Sequence, residues 1–322
     1  MKIIYVLKDI GCSGGGRIVY EHLNGLANRK HDCELVYLTG SSDWFGDILF
    51  KKSQFNSPEK IIKYLKDINC IKVATWWETA PWVKDGGGQF YFVQDIETSY
   101  SDDLEYKEKV LKTYHLGLTH ITTNSFQYAA LKYALGANAK RAGIAINHKI
   151  FRCLNNINKE NFALYFYRDN YLKNPGMLEE SLKIIEQSPF DIELYAYGQL
   201  KCPFASKTFI NVDDIELNKI INKASMFIST SRHEGFNLTI LEAMACGTPV
   251  ITTRAIGNET FCVDGVNCLM IENSQELARA VGQLLIQPDL VKYLSDNGLK
   301  TAQSYKWDNV IDKLENIFKG GT

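Results

Sequence analysis

A short apolar run at residues 2–7 ends in a turn-rich stretch, Asp9-Ile-Gly-Cys-Ser-Gly-Gly-Gly16. A helix is expected next, because Val19, Leu23, Leu26 and Ala27 fall on one apolar face at helical spacing. A second apolar run at 33–38 completes a strand–loop–helix–strand unit. Further runs at 71–76, 89–93 and 119–122, with helical segments before or between them, make the first half read as a parallel α/β sheet. The pattern then restarts with a strand at 162–167, a helix at 178–185, a strand at 192–197, a helix at 215–222 and a strand at 226–229. The polar stretch Asn155-Asn-Ile-Asn-Lys-Glu160 between the two series reads as a linker. The C-terminal stretch reads as helices and ends in one at 307–318.

A chain of 322 residues, 45% hydrophobic and 23% charged, can build two ordinary cores, and this composition speaks against disorder, collagen-like repeats and coiled coil. Thirty-six basic against 37 acidic side chains give a net charge of −1, so nucleic acid is not expected as a partner. Local contact with a membrane surface stays open. No apolar run approaches the roughly 20 residues of a membrane span. Lys8 and Asp9 interrupt any signal-peptide core, and a cytoplasmic protein is expected. The eight cysteines contain no C-x-x-C pair, which speaks against zinc or a redox motif and suggests reduced, mostly buried thiols.

The chemistry concentrates in residues 229–252. A strand ends, a loop carries Glu234 and Gly235, and a helix is expected over 238–246, closed by Gly247 as a left-handed cap and by Pro249. The start of that helix offers backbone N–H groups and a positive dipole end to an anion such as a diphosphate, and Gly235 permits close approach. Glu234 and Glu242 bracket this site. Carboxylates beside a bound phosphate repel it unless they face hydroxyl groups, which a nucleotide sugar supplies on both sides of its diphosphate. On spacing alone the alternative stays open that they are a helix-capping acid and a solvated face charge.

Two glutamates separated by seven residues, within Ser231, Glu234, Gly235, Phe236 and then Leu241, Glu242, Ala243, Met244, Ala245, Gly247, Pro249 and Val250, resemble the signature of the retaining family-4 glycosyltransferases. Gly257-Asn-Glu259, Val263-Asp-Gly265 and Cys268-Leu-Met-Ile271 resemble the loop and strand that follow it there. The resemblance implies a GT-B fold: two Rossmann-like α/β domains facing one another across a cleft, with a C-terminal helix returning to the first. It divides the chain into an acceptor-side domain at 1–157, a nucleotide-sugar-binding domain at 158–303 and a terminal helical segment at 304–322. It implies a retaining, metal-independent transfer of a hexosyl group from a nucleotide-diphosphate sugar to a glycan, lipid-linked sugar or other hydroxyl acceptor. Synthesis of surface polysaccharide or glycoconjugate is the implied setting, and no cofactor is implied. By the same resemblance Glu242 holds the donor ribose, while Glu234 and the backbone at Gly235, Phe236, Asn237 and Leu238 contact donor sugar and phosphate. A nucleotide-sugar-binding protein without transferase activity, and an epimerase on a related fold, are the alternatives.

Arg168 and Lys173, five residues apart after the 162–167 strand, are two cations suited to a diphosphate leaving group, and the family has an arginine and a lysine at this interval. Tyr167 departs from the glycine usual there. Gly14-Gly15-Gly16-Arg17 reads as a loop whose amides face a donor phosphate or the acceptor, or as a tight structural turn. A dinucleotide-binding fingerprint, with Glu34 on a ribose, fits poorly, because Val19 stands where a third glycine is needed. Gln94 and Asp95 occupy the end of a first-domain strand, near where many relatives carry a sugar-contacting histidine, and are read as ligand contacts or helix caps. Asp102-Asp103 and Asp213-Asp214 read as turn or N-cap residues rather than metal ligands. Trp76, Trp77 and Trp82 read as core or wall, or as an aromatic platform for an acceptor sugar.

Overall fold

The computed structural model describes residues 1–155 and 157–320, so Asn156 of the polar stretch and Gly321 and Thr322 of the terminal segment lie outside the described residues. The chain forms two units, Met1–Ala145 together with the segment from Trp307, and Ile146–Lys306.

Seven parallel strands build the first unit: β1 (Lys2–Asp9), β2 (Asp32–Thr39), β3 (Lys51–Gln54), β4 (Ile71–Ala74), β5 (Phe90–Val93), β6 (Thr119–Thr122) and β7 (Ala139–Arg141). Their order is β3-β2-β1-β4-β5-β6-β7. They are connected through helices that include α1 (Gly14–Asn28), α2 (Pro58–Lys66), α3 (Thr79–Asp85), α4 (Leu104–Tyr114) and α5 (Ser125–Ala129). Residues 3–6 of β1 are all fully buried, because a central parallel strand has helices on both faces and no solvent side. Ile4 of β1 lies beside Glu34 of β2 and Lys72 of β4. The chain winds outward from β1 to β3 and resumes on the other side at β4, so the order reverses between β1 and β4.

The second unit repeats the plan with β8 (Glu160–Tyr167), β9 (Glu193–Gly198), β10 (Lys207–Ile210), β11 (Ala224–Ser229), β12 (Val250–Thr253) and β13 (Leu269–Ile271), all parallel, in the order β10-β9-β8-β11-β12-β13. Helices α6 (Pro175–Ile185), α7 (Asp214–Lys223), α8 (Leu238–Ala245), α9 (Ser274–Ile286) and α10 (Pro288–Gln303) accompany it. Its core joins Tyr165, Met226, Ile228 and Ile251 from the strands to Leu178, Leu277 and Val281 from the helices. Tyr167 is buried in this core with its ring edge-on to Phe204, which is where the departure from glycine is absorbed.

The last helix, α11 (Trp307–Phe318), groups with the first unit. Gly25 of α1 makes room for it, since a Cβ there would fall 2.6 Å from the Ile311 side chain. Trp307 meets His22 edge-on and Phe318 meets Phe90. Around this contact Arg29 pairs with Asp312 and Glu315, and His31 Nε2 lies 2.7 Å from Glu315 Oε1. All eight cysteines are free; Cys12 and Cys153 are exposed, and Cys70 is partly buried. Among the described residues no helix is long and apolar enough to cross a membrane.

His22 is fully buried, with Nδ1 3.3 Å from the Tyr5 hydroxyl, and burial pushes its pKa down to about 3. Below the ordinary histidine pKa the unfolded chain therefore binds a proton that the native state refuses, and stability falls as pH drops from about 6.5 toward 3. His22→Gln should remove on the order of 2 kcal/mol of the stability difference between pH 7 and pH 5, read from urea unfolding at the two pH values.

Candidate functional site

The carboxyl ends of β8, β11 and β12 carry the loops in which the sequence motif lies, and they assemble its charged residues. Lys173 Nζ lies 2.5 Å from Glu234 Oε1, and the Ser231 hydroxyl donates to the same oxygen at 2.6 Å. Lys173 and Arg168 both stand over the Phe166 ring, at 5.9 and 5.4 Å from its centroid. The loop bearing these cations is tied to the one bearing Glu234. Thr230 Oγ1 donates to the carbonyls of Lys173 and Asn174, each at 3.0 Å, and the Arg232 N–H donates to Leu172 O at 2.8 Å. Tyr165, Phe166, Lys173, Ser229, Ser231, Glu234 and Thr239 line a small pocket here. Glu234 is thus an ion-paired residue and not a helix cap.

The start of α8 is built by Asn237, whose backbone is left-handed at φ +66°. Its side chain, at the N-cap, makes no capping bond; Nδ2 donates instead to Ser229 Oγ at 3.1 Å and to Asn258 Oδ1 at 2.9 Å. Asn258, fully buried, passes the chain on to Thr252 Oγ1 and Thr253 O. Asn174, before α6, repeats the arrangement at φ +50°, with its Oδ1 accepting from Arg232. By contrast α1, α2, α4, α5, α7 and α9 are each capped by an N-cap side chain. Two helix starts at this sheet edge therefore forgo the usual side-chain acceptor for their first-turn amides. Gly257 seats against the loop so closely that a Cβ would fall 2.4 Å from Glu234 O. Glu242 is only 6% exposed, which removes the reading as a solvated face charge, and Phe236 stacks on Phe261 at 4.8 Å.

In the first unit, Gly14, Gly15 and Gly16 form the opening turn of α1 and not a loop. The reason is Ser13, whose Oγ accepts the Gly16 N–H at 3.0 Å and so starts the helix. Gln94 follows β5 directly, and its carboxamide lies where a Cβ on Gly15 would come within 3.1 Å of it. Asp95 is buried, accepting from the Ile96 N–H and from the Tyr100 hydroxyl. The dinucleotide reading fails on Glu34, which sits inside β2, away from its carboxyl end, and is held by Ser53, Tyr64 and Lys51. Asp103 and Asp213 cap α4 and α7.

Sequence reasoning passed over Phe166, Thr230, Arg232 and Asn258. Asn258 had a signal, a polar residue directly after a glycine in the resembling segment. Thr230 and Arg232 act through backbone groups of a loop about 60 positions away, which no local pattern announces.

Residues 166–287 match the family model of the glycosyl transferases group 1. A glycosyltransferase of Methanocaldococcus jannaschii is 27% identical over 238 residues, 68% of this chain and 66% of that protein. The D-inositol 3-phosphate glycosyltransferase of Corynebacterium urealyticum is 32% identical over 106 residues, 32% of this chain and 25% of that one. The chain thus spans two thirds or less of the length of these relatives. Among solved structures, that of HepE from Anabaena with UDP and glucose superposes with a TM-score of 0.81 at 14% identity, covering 99% of this chain and all of the other. Residues 166–287 of the second unit are thus similar to the glycosyl transferases group 1, and the chain has the GT-B fold.

Proposed function

We propose that this protein is a retaining, metal-independent glycosyltransferase that moves a hexosyl group from a nucleotide-diphosphate sugar to a hydroxyl of a glycan or lipid-linked acceptor. Synthesis of surface polysaccharide or glycoconjugate in the cytoplasm is its proposed setting. The observation that carries the reading is the pair of left-handed asparagines, Asn174 and Asn237, whose side chains are turned away from the helix starts they would ordinarily cap. An anion is the natural acceptor for amides left in this way, and Arg168 and Lys173 at the same sheet edge add charge suited to a diphosphate. HepE, on the same fold, is seen with UDP and glucose.

In this reading the diphosphate lies at the start of α8, with backbone at Gly235, Phe236, Asn237 and Leu238 around it. Glu242 receives ribose hydroxyls and Glu234 receives hydroxyls of the sugar. The bond from the anomeric carbon to the diphosphate oxygen breaks while a bond to the acceptor oxygen forms on the same face, and the acceptor's proton passes to the departing diphosphate. Arg168, Lys173 and the helix amides stabilise the charge that grows on it. Glu234 is a poor covalent nucleophile here, because one of its oxygens already accepts from both Lys173 and Ser231. Gly15 and Gly16 face the donor phosphate or the acceptor in this proposal, and Gln94 and Asp95 contact the acceptor or the donor sugar.

Nucleoside diphosphates should raise the melting temperature of the wild-type protein, since a ligand that binds only the native state stabilises it. Glu242→Ala should abolish that rise for both UDP and GDP, and Glu242→Gln, which keeps the side-chain volume, should weaken it; an undiminished shift in both variants would remove the donor assignment. Arg168→Ala and Lys173→Ala should each lower turnover of the donor by roughly 10²–10³, measured as nucleoside diphosphate released. Prior treatment with EDTA should leave that rate unchanged.

A further inference from the structure

We propose that the ring pair Trp76–Tyr100 is a binding subsite for one pyranose ring of the acceptor, with Gln94, Glu78 and Lys8 reading its hydroxyls; this rests on the transferase reading above. The three segments involved leave the carboxyl ends of β1, β4 and β5, which are neighbours in the sheet. The strand order reverses between β1 and β4, and an open α/β sheet forms its crevice outside the carboxyl ends of strands at such a reversal.

The three tryptophans after β4 differ in placement. Trp77 and Trp82 pack against the core of the first unit, whereas Trp76 stacks on Tyr100, with centroids 5.7 Å apart and planes 26° from parallel. Tyr100 is 42% exposed. A stacked aromatic pair with one ring at the surface is an apolar face of the shape that takes the C–H side of a ring. The rings are also held still. Trp76 Nε1 donates to Glu78 Oε2 at 3.2 Å, and the Tyr100 hydroxyl donates to Asp95 Oδ2 at 2.8 Å. Buried Glu97 anchors the segment beneath, accepting from the Tyr91 hydroxyl and donating its N–H to the Tyr114 oxygen.

The polar rim selects the ligand. Lys8 Nζ donates to both oxygens of Glu78, at 2.9 and 2.8 Å, so its charge is offset. That pair offers a phosphate or carboxylate no unoffset cation. Gln94 Oε1 is buried beside Gly15 with no hydrogen-bond partner, and an acceptor in that state asks for a donor from a ligand. A neutral ring with one C–H face and a belt of hydroxyls meets these demands together: the face lies on the aromatic pair and the hydroxyls donate to Gln94 and Glu78. A nucleobase would also stack, but a nucleotide brings a phosphate for which the Lys8–Glu78 pair holds no unoffset cation.

Saturation-transfer NMR on the full chain tests this with the methyl α-glycosides of glucose, galactose, mannose, N-acetylglucosamine and rhamnose, with AMP as the stacking control. At least one glycoside should receive transfer, strongest on its ring C–H protons, and AMP should receive none at this site. Tyr100→Ala and Trp76→Ala should weaken glycoside binding by about tenfold or more, while Tyr100→Phe, which keeps the ring, should retain it. Gln94→Leu should weaken it too. If Trp76→Ala does not fold, Tyr100→Ala decides, because its ring is largely at the surface. Transfer to none of the glycosides, or transfer undiminished in Tyr100→Ala, overturns the subsite, as does AMP binding that Tyr100→Ala abolishes. Thermal stabilisation by UDP or GDP, measured on the same samples, is independent of this outcome: its loss in the wild type would sink the donor reading instead.

Discussion

The left-handed turn at Asn237 is the constraint on which the second unit's site depends. A non-glycine residue at φ +66° is strained, and it persists only where its surroundings over-determine it. Here the surroundings are a buried chain of amides and hydroxyls. Asn237 grips Ser229 at the end of β11 and Asn258 beyond β12, and Asn258 grips Thr252 and Thr253 within β12. Because each of these groups is buried, removing one partner leaves the other unsatisfied, so the network tends to hold entire or not at all. The geometry at the start of α8 is thereby set by two neighbouring strands, and not by the propensity of an eight-residue helix that could hardly hold its shape alone.

Electrostatics complete that geometry. Lys173 and Glu234 form a partly buried pair beside Ser231. A charge taken out of water without a partner would be expensive, so the pair keeps a cation in place at modest cost. Arg168 stands apart from that pair, over the same phenyl ring, so the sheet edge retains positive character. An anion arriving there meets charge that is already oriented, which is the condition for electrostatic help without reorganisation.

Much of this was legible in the sequence, and the losses have physical causes. The central strands were visible because both of their faces are covered and they read as apolar runs. The edge strands β3, β7 and β10 were not: Lys51-Lys-Ser-Gln54 and Ala139-Lys-Arg141 are polar because an edge keeps one side in water. The parallel sheets of both halves, α8 and the cap at Gly247, now seen at φ +67°, followed from periodicity and turn chemistry. The glycine run at 14–16 misled, because glycines suggest a loop, whereas Ser13 three residues ahead of Gly16 is a helix-start signal and prevailed. The struts Thr230 and Arg232 lay beyond reach for a different reason. Thr230 Oγ1 and the Arg232 backbone N–H both bond to main-chain carbonyls, which every residue possesses, so nothing in those partners' identity betrays the contacts.

The pairing of α11 with α1 has a consequence for how the molecule is made. The first unit is discontinuous: its last element is separated from the rest of it by the whole of Ile146–Lys306. During synthesis the patch on α1 around Gly25, and the rings of His22 and Phe90, must wait uncovered while an entire second α/β body is translated. The nascent first half is therefore an unfinished product until the final helix emerges, and its exposed seam is where a chaperone would find the most to hold.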